Sequence, residues 1–312
     1  MPDLSHIILA VCQALLLLAV APLVSGYSRV LRAKMHTRRG PGLLQDYRDL
    51  VKLMGRQDVH PPASGMVFRA MPVVMMATLL VISTGTPILT RFSPIQAAGD
   101  LITTIYLFAL ARFFFSLSGI DSGSSFAGIG ASRELTLGVL VEPVMMLALI
   151  MAALLAGSTD LGTIGTAIAA GHVHSLTATV VAAVAFAFAV YIELGKLPYD
   201  MAEAEQELQE GPLTEYSGPS LALVKWSLSL KQVLVVGWFA GVFLPFGSAT
   251  DLSVTGILLG LVVFALKIAV AFLVVGVIEN SVSRARFRFT PQHSWIGVGV
   301  ASLAFVFYLV GL

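Results

Sequence analysis

The chain of 312 residues is 57% hydrophobic and 12% charged, with a formal net charge of +1 and a mean hydropathy of +0.87. A soluble domain carries about 25% charged residues, so these charges are too few to cover a water-facing surface, and their near-balance gives no sign of nucleic-acid binding. The single cysteine, Cys12, makes no intrachain disulfide and cannot hold an iron–sulfur cluster or a four-cysteine nickel site, so metal chemistry belongs on a partner.

In lipid the backbone must satisfy itself as helices or as a closed barrel. The apolar runs here are continuous rather than alternating, which selects helices. The expectation is an all-α integral membrane protein, a single membrane domain over residues 1–312 with about eight transmembrane helices. The runs are 7–26, 67–89, 101–117, 135–156, 176–194, 226–246, 256–278 and 295–312. Each is near the ~20 residues that cross ~30 Å of hydrocarbon, and 101–117 is the shortest. The first run follows Asp3, lacks a basic n-region and is itself followed by the basic cluster. It reads as an uncleaved anchor rather than a secretory signal.

Orientation follows from Lys and Arg. The loop after the first run holds Arg29, Arg32, Lys34, Arg38, Arg39, Arg48, Lys52 and Arg56; later odd-numbered loops hold Arg133, then Lys196 and Lys225, then Arg284, Arg286 and Arg288. The even-numbered loops hold only Arg91. The odd loops are therefore expected in the cytoplasm, with both termini outside. Trp226 and Trp295 stand near span ends, as interface aromatics do. The two large polar loops, 29–66 and 196–225, are both cytoplasmic on this reading, the opposite loops are short and plain, and a soluble partner docks on the cytoplasmic face.

Ionisable residues inside spans are expensive, at least ~2.5–3.5 kcal/mol at the bilayer centre. Glu142 is expected about two turns into the fourth span, Glu193 in the last turn of the fifth, Lys267 near the middle of the seventh and Glu279 at its cytoplasmic end. A buried carboxylate can hold or pass a proton near neutral pH; a structural ion pair is the alternative. Arg69, Arg112 and Lys231 lie toward cytoplasmic span ends and read as snorkelling.

The stretch 198–212 reads as one short helix, started by Pro198 and Asp200 and stopped by Gly211-Pro212. Glu203, Glu207 and Glu210 then share a face at i, i+4, i+7, and Glu205 points elsewhere. Exposed, this is a solvated acidic face; buried, it titrates as a coupled set. The pair His172 and His174 has metal-compatible chemistry but no further ligand nearby. There is no phosphate loop, nucleophile elbow or His-Glu-x-x-His. The basic first loop either holds anionic lipid or simply obeys the positive-inside rule.

Several motifs carry a resemblance. Arg38-Arg39-Gly40-Pro41, followed by Gln45-Asp-Tyr-Arg-Asp-Leu-Val-Lys-Leu53, resembles the first cytoplasmic loop of the complex I membrane subunit at the quinone-site junction, NADH dehydrogenase subunit 1 in mitochondria. Glu193-Leu-Gly-Lys-Leu-Pro-Tyr-Asp-Met-Ala-Glu-Ala-Glu-Gln-Glu-Leu208, then Thr214-Glu-Tyr-Ser-Gly218, is similar to that family's third cytoplasmic loop. Gly130-Ala-Ser-Arg133 followed by Glu142, and Lys267, match its fourth and seventh helices. Glu134, Glu210-Gly-Pro-Leu213 and Glu279-Asn280 depart from complex I. These departures resemble the energy-converting [NiFe]-hydrogenase branch, most of all the hydrogenase-4 and formate hydrogenlyase membrane subunit.

The resemblance implies a membrane subunit with no active site and no cofactor of its own, in the bacterial cytoplasmic (inner) membrane. The [NiFe] centre and iron–sulfur clusters would sit on partners: hydrogenase large and small subunits and iron–sulfur subunits. Antiporter-like membrane subunits, lipid and a formate dehydrogenase complete the expected surroundings. Proton coupling falls on Glu142, Glu193, Asp200, Glu203, Glu205, Glu207, Glu215 and Lys267. Arg38, Arg39, Gly40, Pro41 and Arg133 shape the arm junction. No role transfers to Glu134, Glu210 or Glu279. Two other readings stay open: a passive membrane anchor of a hydrogen-evolving complex, and the quinone-site subunit of an NADH:quinone oxidoreductase.

Overall fold

A computed structural model describes residues 4–311, leaving Asp3 and the side chains of Glu205 and Gln206 outside the described set. Twelve α-helices follow one another among those residues: α1 (Leu4–Met35), α2 (Gln45–Met54), α3 (Met66–Gly85), α4 (Gln96–Gly99), α5 (Leu101–Asp121), α6 (Ser125–Ala156), α7 (Leu161–Ala169), α8 (Leu176–Glu193), α9 (Glu205–Leu208), α10 (Gly218–Val242), α11 (Val254–Ser281) and α12 (Thr290–Val310). No strand forms among them. Eight helices, α1, α3, α5, α6, α8, α10, α11 and α12, are long and apolar enough to cross a membrane. Successive spans run in opposite directions, so residues 4 and 311 lie on one face, here the terminal face. The opposite, loop face carries 36–65, 194–217 and 282–289.

Helix ends follow local chemistry. Asp100 caps α5 by accepting from the backbone N–H groups of Ile102 at 3.0 Å and Thr103 at 3.3 Å. Asp160 and Ser253 cap α7 and α11 in the same way. Gly157, in the left-handed region at φ 69°, ends α6.

Several spans start or end beyond their apolar runs. α1 continues to Met35, α6 begins at Ser125 rather than near 135, and α10 begins at Gly218 rather than near 226. Hydropathy marks only the lipid-buried stretch, whereas backbone hydrogen bonding continues through flanking polar turns. Arg133 and Lys225 therefore stand on helices rather than in loops. Glu142 lies about five turns into α6, not two, at 3.6 residues per turn. Trp226 is likewise inside α10, its indole N–H donating to the Leu18 carbonyl at 2.8 Å.

The stretch 198–212 is not one helix. Only the single turn α9 and a 3-10 turn over Gly211–Leu213 are regular. Ala204, Gln209 and Glu210 take positive φ of 27°, 49° and 70°. The chain folds inward to bury Met201, Ala202, Ala204 and Leu208, and the left-handed residues that turn it break the helix. Gly130 admits this segment: a Cβ there would lie 2.7 Å from Gly211 Cα. Glu203, Glu207 and Glu210 consequently do not share a face.

The terminal-face loops are more built than plain connections. Isolated bridges pair Thr90 with Ala249 and Asp100 with Asp160, and α4 and α7 lie between spans. Gln13, fully buried, donates to the carbonyls of Ser83 at 2.7 Å and Thr86 at 2.8 Å. That satisfies a polar group where no water reaches. The core centres on Phe186, Trp238 and Phe108, with Phe68 stacked on Tyr216 at 4.1 Å.

Candidate functional site: a buried charge cluster

The interior of α5, α6, α8 and α10 holds five charged side chains. Arg112 of α5 is at the centre, its side chain only 6% exposed. Its Nη1 donates to Glu142 Oε1 of α6 at 2.7 Å, and its Nη2 donates to Glu193 Oε1 of α8. Its Nε lies 3.6 Å from Glu134 of α6. Lys231 of α10 completes the set, 3.1 Å from Glu193 Oε2 and 3.8 Å from Glu134. Phe108 lies beneath both cations, 6.0 Å from the guanidinium and 5.6 Å from the ammonium.

The geometry follows from helix register. Arg112 lies one turn beyond Phe108 on α5, while Glu134 and Glu142 are eight residues apart on α6 and so face the same way. Gly138, midway between them, lets the arginine pass: a Cβ there would stand 2.5 Å from Arg112 Cδ. Pro143 removes a backbone donor next to Glu142. Glu193 is the last residue of α8, yet it is buried because the 194–217 segment folds over it.

The snorkelling expected of Arg112 and Lys231 does not occur, and Glu134, to which no role transfers by resemblance, is a member of the cluster. Arg112 cannot snorkel, because the loop-face end of α5 lies about nine residues away and three carboxylates surround its head. Two cations against three carboxylates leave one excess negative charge when all are ionised. A buried set of this kind is strongly coupled.

A cavity of about 50 Å³ joins the cluster to the loop face. Arg112, Glu134, Glu193 and Lys231 line one side, Asp200 and Glu203 the other. At ~10–15 Å³ per water it has room for a few. Glu193 Oε2 and Arg112 Nε, neither with a hydrogen-bond partner among the described residues, are the polar atoms such waters serve. Burial pushes the Glu203 carboxyl up to about 7, against the pull of Lys196 and with help from Asp200, Glu134 and Glu210. Burial also lowers the pKa of the Lys196 ammonium, against the pull of Glu279.

The other sequence candidates scatter around this axis. Asp200 pairs with Arg284 at 2.7 Å. Glu207 pairs with Arg133 at 3.0 Å, and Glu210 with Lys225 at 3.6 Å. Glu215 is half-buried and has no ion pair among the described residues. Glu205 lies outside the described side chains. Glu279 is buried and 3.3 Å from Arg32. Lys267 is not brought to the cluster; its Nζ donates to the Leu244 carbonyl at 2.5 Å. Arg38, Arg39, Gly40 and Pro41 are exposed on the loop face. His172 and His174 are exposed on the terminal face.

The family model for NADH dehydrogenase matches residues 7–310. Hydrogenase-4 component C of Escherichia coli is 53% identical over 98% of this chain and 97% of its own length. Formate hydrogenlyase subunit 4 of the same organism is 53% identical over 94% and 96%. A chain of the membrane-bound sulfane sulfur reductase, an archaeal respiratory membrane complex, has the same fold, with a TM-score of 0.86 at 21% identity over 96% of this chain and 98% of that one. With the family match running over residues 7–310 and two relatives at 53% identity over nearly the whole chain, the chain belongs to the NADH dehydrogenase subunit 1 family.

Proposed function

We propose that this chain is the membrane anchor and ion-coupling subunit of a complex I-related [NiFe]-hydrogenase of the hydrogenase-4 or formate hydrogenlyase type. The observation that carries the reading is the charge cluster. It runs from half-buried Glu203 at the loop face, through Glu193, Lys231, Glu134 and Arg112, to Glu142 in mid-span. The 53% identity to two hydrogenase-type subunits supports the branch.

On this reading the loop face is cytoplasmic and the membrane is the bacterial inner membrane. The exposed stretch 38–41 and Arg133 meet a redox arm holding the [NiFe] and iron–sulfur centres. A charge change in the arm alters the field on Glu203, which binds or releases a proton near neutral pH. Waters in the adjoining cavity pass it to Glu193. The excess negative charge lets the cluster accept one proton without becoming net positive. Glu142, its side chain 32% exposed, presents the far end to an antiporter-like neighbour. The arginine fork holds Glu142 and Glu193 on two nitrogens of one guanidinium.

The complete pairing of the cluster favours a second reading, a passive anchor in which the five charges only lock four helices together. Gentle-detergent purification with a nickel assay, followed by hydrogen-linked proton uptake in vesicles for Glu203→Gln and Glu193→Gln, separates them. Nickel with a hydrogenase large subunit supports the branch; flavin and quinone reductase activity without nickel oppose it. Coupled activity that survives both substitutions in an assembled complex leaves only the anchor.

A further inference from the structure

Glu279 is the only carboxylate of α11, and the route from Glu203 to Glu142 does not use it. Its residue is 4% exposed, at the loop-face end where α11 packs on α1. Its Oε1 lies 3.3 Å from Arg32 of α1. Its Oε2 is buried with no hydrogen-bond partner among the described residues, and Arg32 Nε is in the same condition. A buried carboxylate with one oxygen unpartnered calls for a further positive charge or donor.

The 194–203 segment brings that charge. Ala285, just beyond α11, donates its N–H to the Pro198 carbonyl at 3.1 Å, and Arg284 pairs with Asp200 at 2.7 Å. The end of α11 is thus fastened beside the turn that carries Lys196. Lys196 forms no ion pair of its own among the described residues. Instead Glu279 and Glu203 both attract its ammonium, while Arg32 and Arg29 repel it. The other titratable groups of this corner are Asp46 of α2, which pairs with Arg29, and Tyr191 of α8, whose hydroxyl donates to the Leu197 carbonyl. The exposed stretch 38–41 lies against the same helix as Arg32: a Cβ at Gly40 would stand 2.6 Å from Ala33 Cβ.

The geometry points to Lys196 as a cation shared by Glu279 and Glu203, a positioning residue through which the grip of Arg32 on Glu279 reaches the acidic segment. While Arg32 holds Glu279, Lys196 serves Glu203 and favours its ionised form. When a partner on 38–41 loosens Arg32, Glu279 draws Lys196 away and Glu203 takes a proton. The role rests on the coupling reading; its test does not, because the test is read on the assembled complex without turnover.

A hydrophobic carbodiimide reacts with protonated carboxyls, so the pH at which Glu203 labelling falls by half, followed by peptide mass spectrometry, reports its titration midpoint. Lys196→Gln should raise that midpoint by about one unit, the shift that loss of a nearby opposite charge produces, and Lys196→Arg should leave it in place. Glu279→Gln should lower it, and should have no effect once Lys196→Gln is present. Arg32→Gln should raise it; the Arg32 side chain is 44% exposed, so this variant reads the relay even if Glu279→Gln does not assemble. A midpoint unmoved by Arg32→Gln overturns the proposal. So does a Glu279→Gln shift that persists undiminished in the Lys196→Gln background. The expected shifts together with unchanged hydrogen-linked proton uptake in every variant would uphold the shared cation and refute only the coupling reading.

Discussion

Arg112→Met is the sharpest perturbation of the cluster. The methionine keeps much of the stem's volume and removes the charge that three carboxylates share. Lys231 remains 3.1 Å from Glu193 and 3.8 Å from Glu134, but among the described residues Glu142 loses its only ion-pair partner. Removing one member of a buried ion pair costs roughly 3–5 kcal/mol. Glu142 is about a third exposed, which places the loss near the lower end, ~3 kcal/mol. That is a change of more than a hundredfold in the folded-to-unfolded ratio, at 1.4 kcal/mol per factor of ten. Thermal melting of the purified complex, followed by release of this subunit, reads the loss. The double variant Arg112→Met/Glu142→Gln should recover part of it, because it also removes the stranded charge. A single variant that melts with the parent, and a double variant no better than the single, would show that these ion pairs do not hold the helices.

Other perturbations address the route and its surroundings. Burial holds Glu203 at about 7, above the ordinary carboxylate value, so its ionisation opposes folding. The penalty is absent below about pH 4, grows as pH rises and is complete above pH 7. Glu203→Gln should therefore gain stability over the parent between pH 5 and 8, by on the order of 3 kcal/mol at the upper end, and should lose any step near pH 7 in coupled activity; superimposable pH profiles would refute this. Gly138→Ala drives a Cβ against Arg112 and, at about 1–3 kcal/mol for overpacking, should impair coupling without touching a charge. Gly128→Ala, with nothing within 4 Å of its Cβ, is the matched control and should behave as the parent. Arg38→Glu/Arg39→Glu should leave the membrane subunit folded, since both side chains are exposed, yet should release the redox arm at lower salt than the parent in co-purification.

The eight spans were legible because lipid demands long apolar runs, and composition alone required lipid. Boundaries were less legible: the α6 sequence from Ser125 to Glu134 is polar and glycine-rich, and only tertiary packing shows that it is helical. Glu142 and Glu193 stood out as carboxylates inside apolar runs. Arg112 and Lys231 read as snorkelling, because distance from a span end does not reveal which neighbours surround a head group. The pairing needed the register of four helices at once. The separation of Glu203 from Glu207 and Glu210 was hidden for a different reason. Helical spacing assumes a helix, and the positive φ of Ala204, Gln209 and Glu210 breaks it. Lys267 was legible as an intramembrane cation and not as one distant from the acidic cluster.

Glu142→Gln tests the central claim most directly. Hydrogen-linked pH change is followed in inverted membrane vesicles for the parent, Glu142→Gln and Glu142→Asp, with the content of assembled complex matched by immunoblot. The coupling account expects Glu142→Gln to abolish the hydrogen-linked pH change while hydrogenase turnover with an artificial electron carrier persists, and Glu142→Asp to retain part of it. An unchanged pH response in Glu142→Gln would contradict the account and leave the cluster as a structural lock.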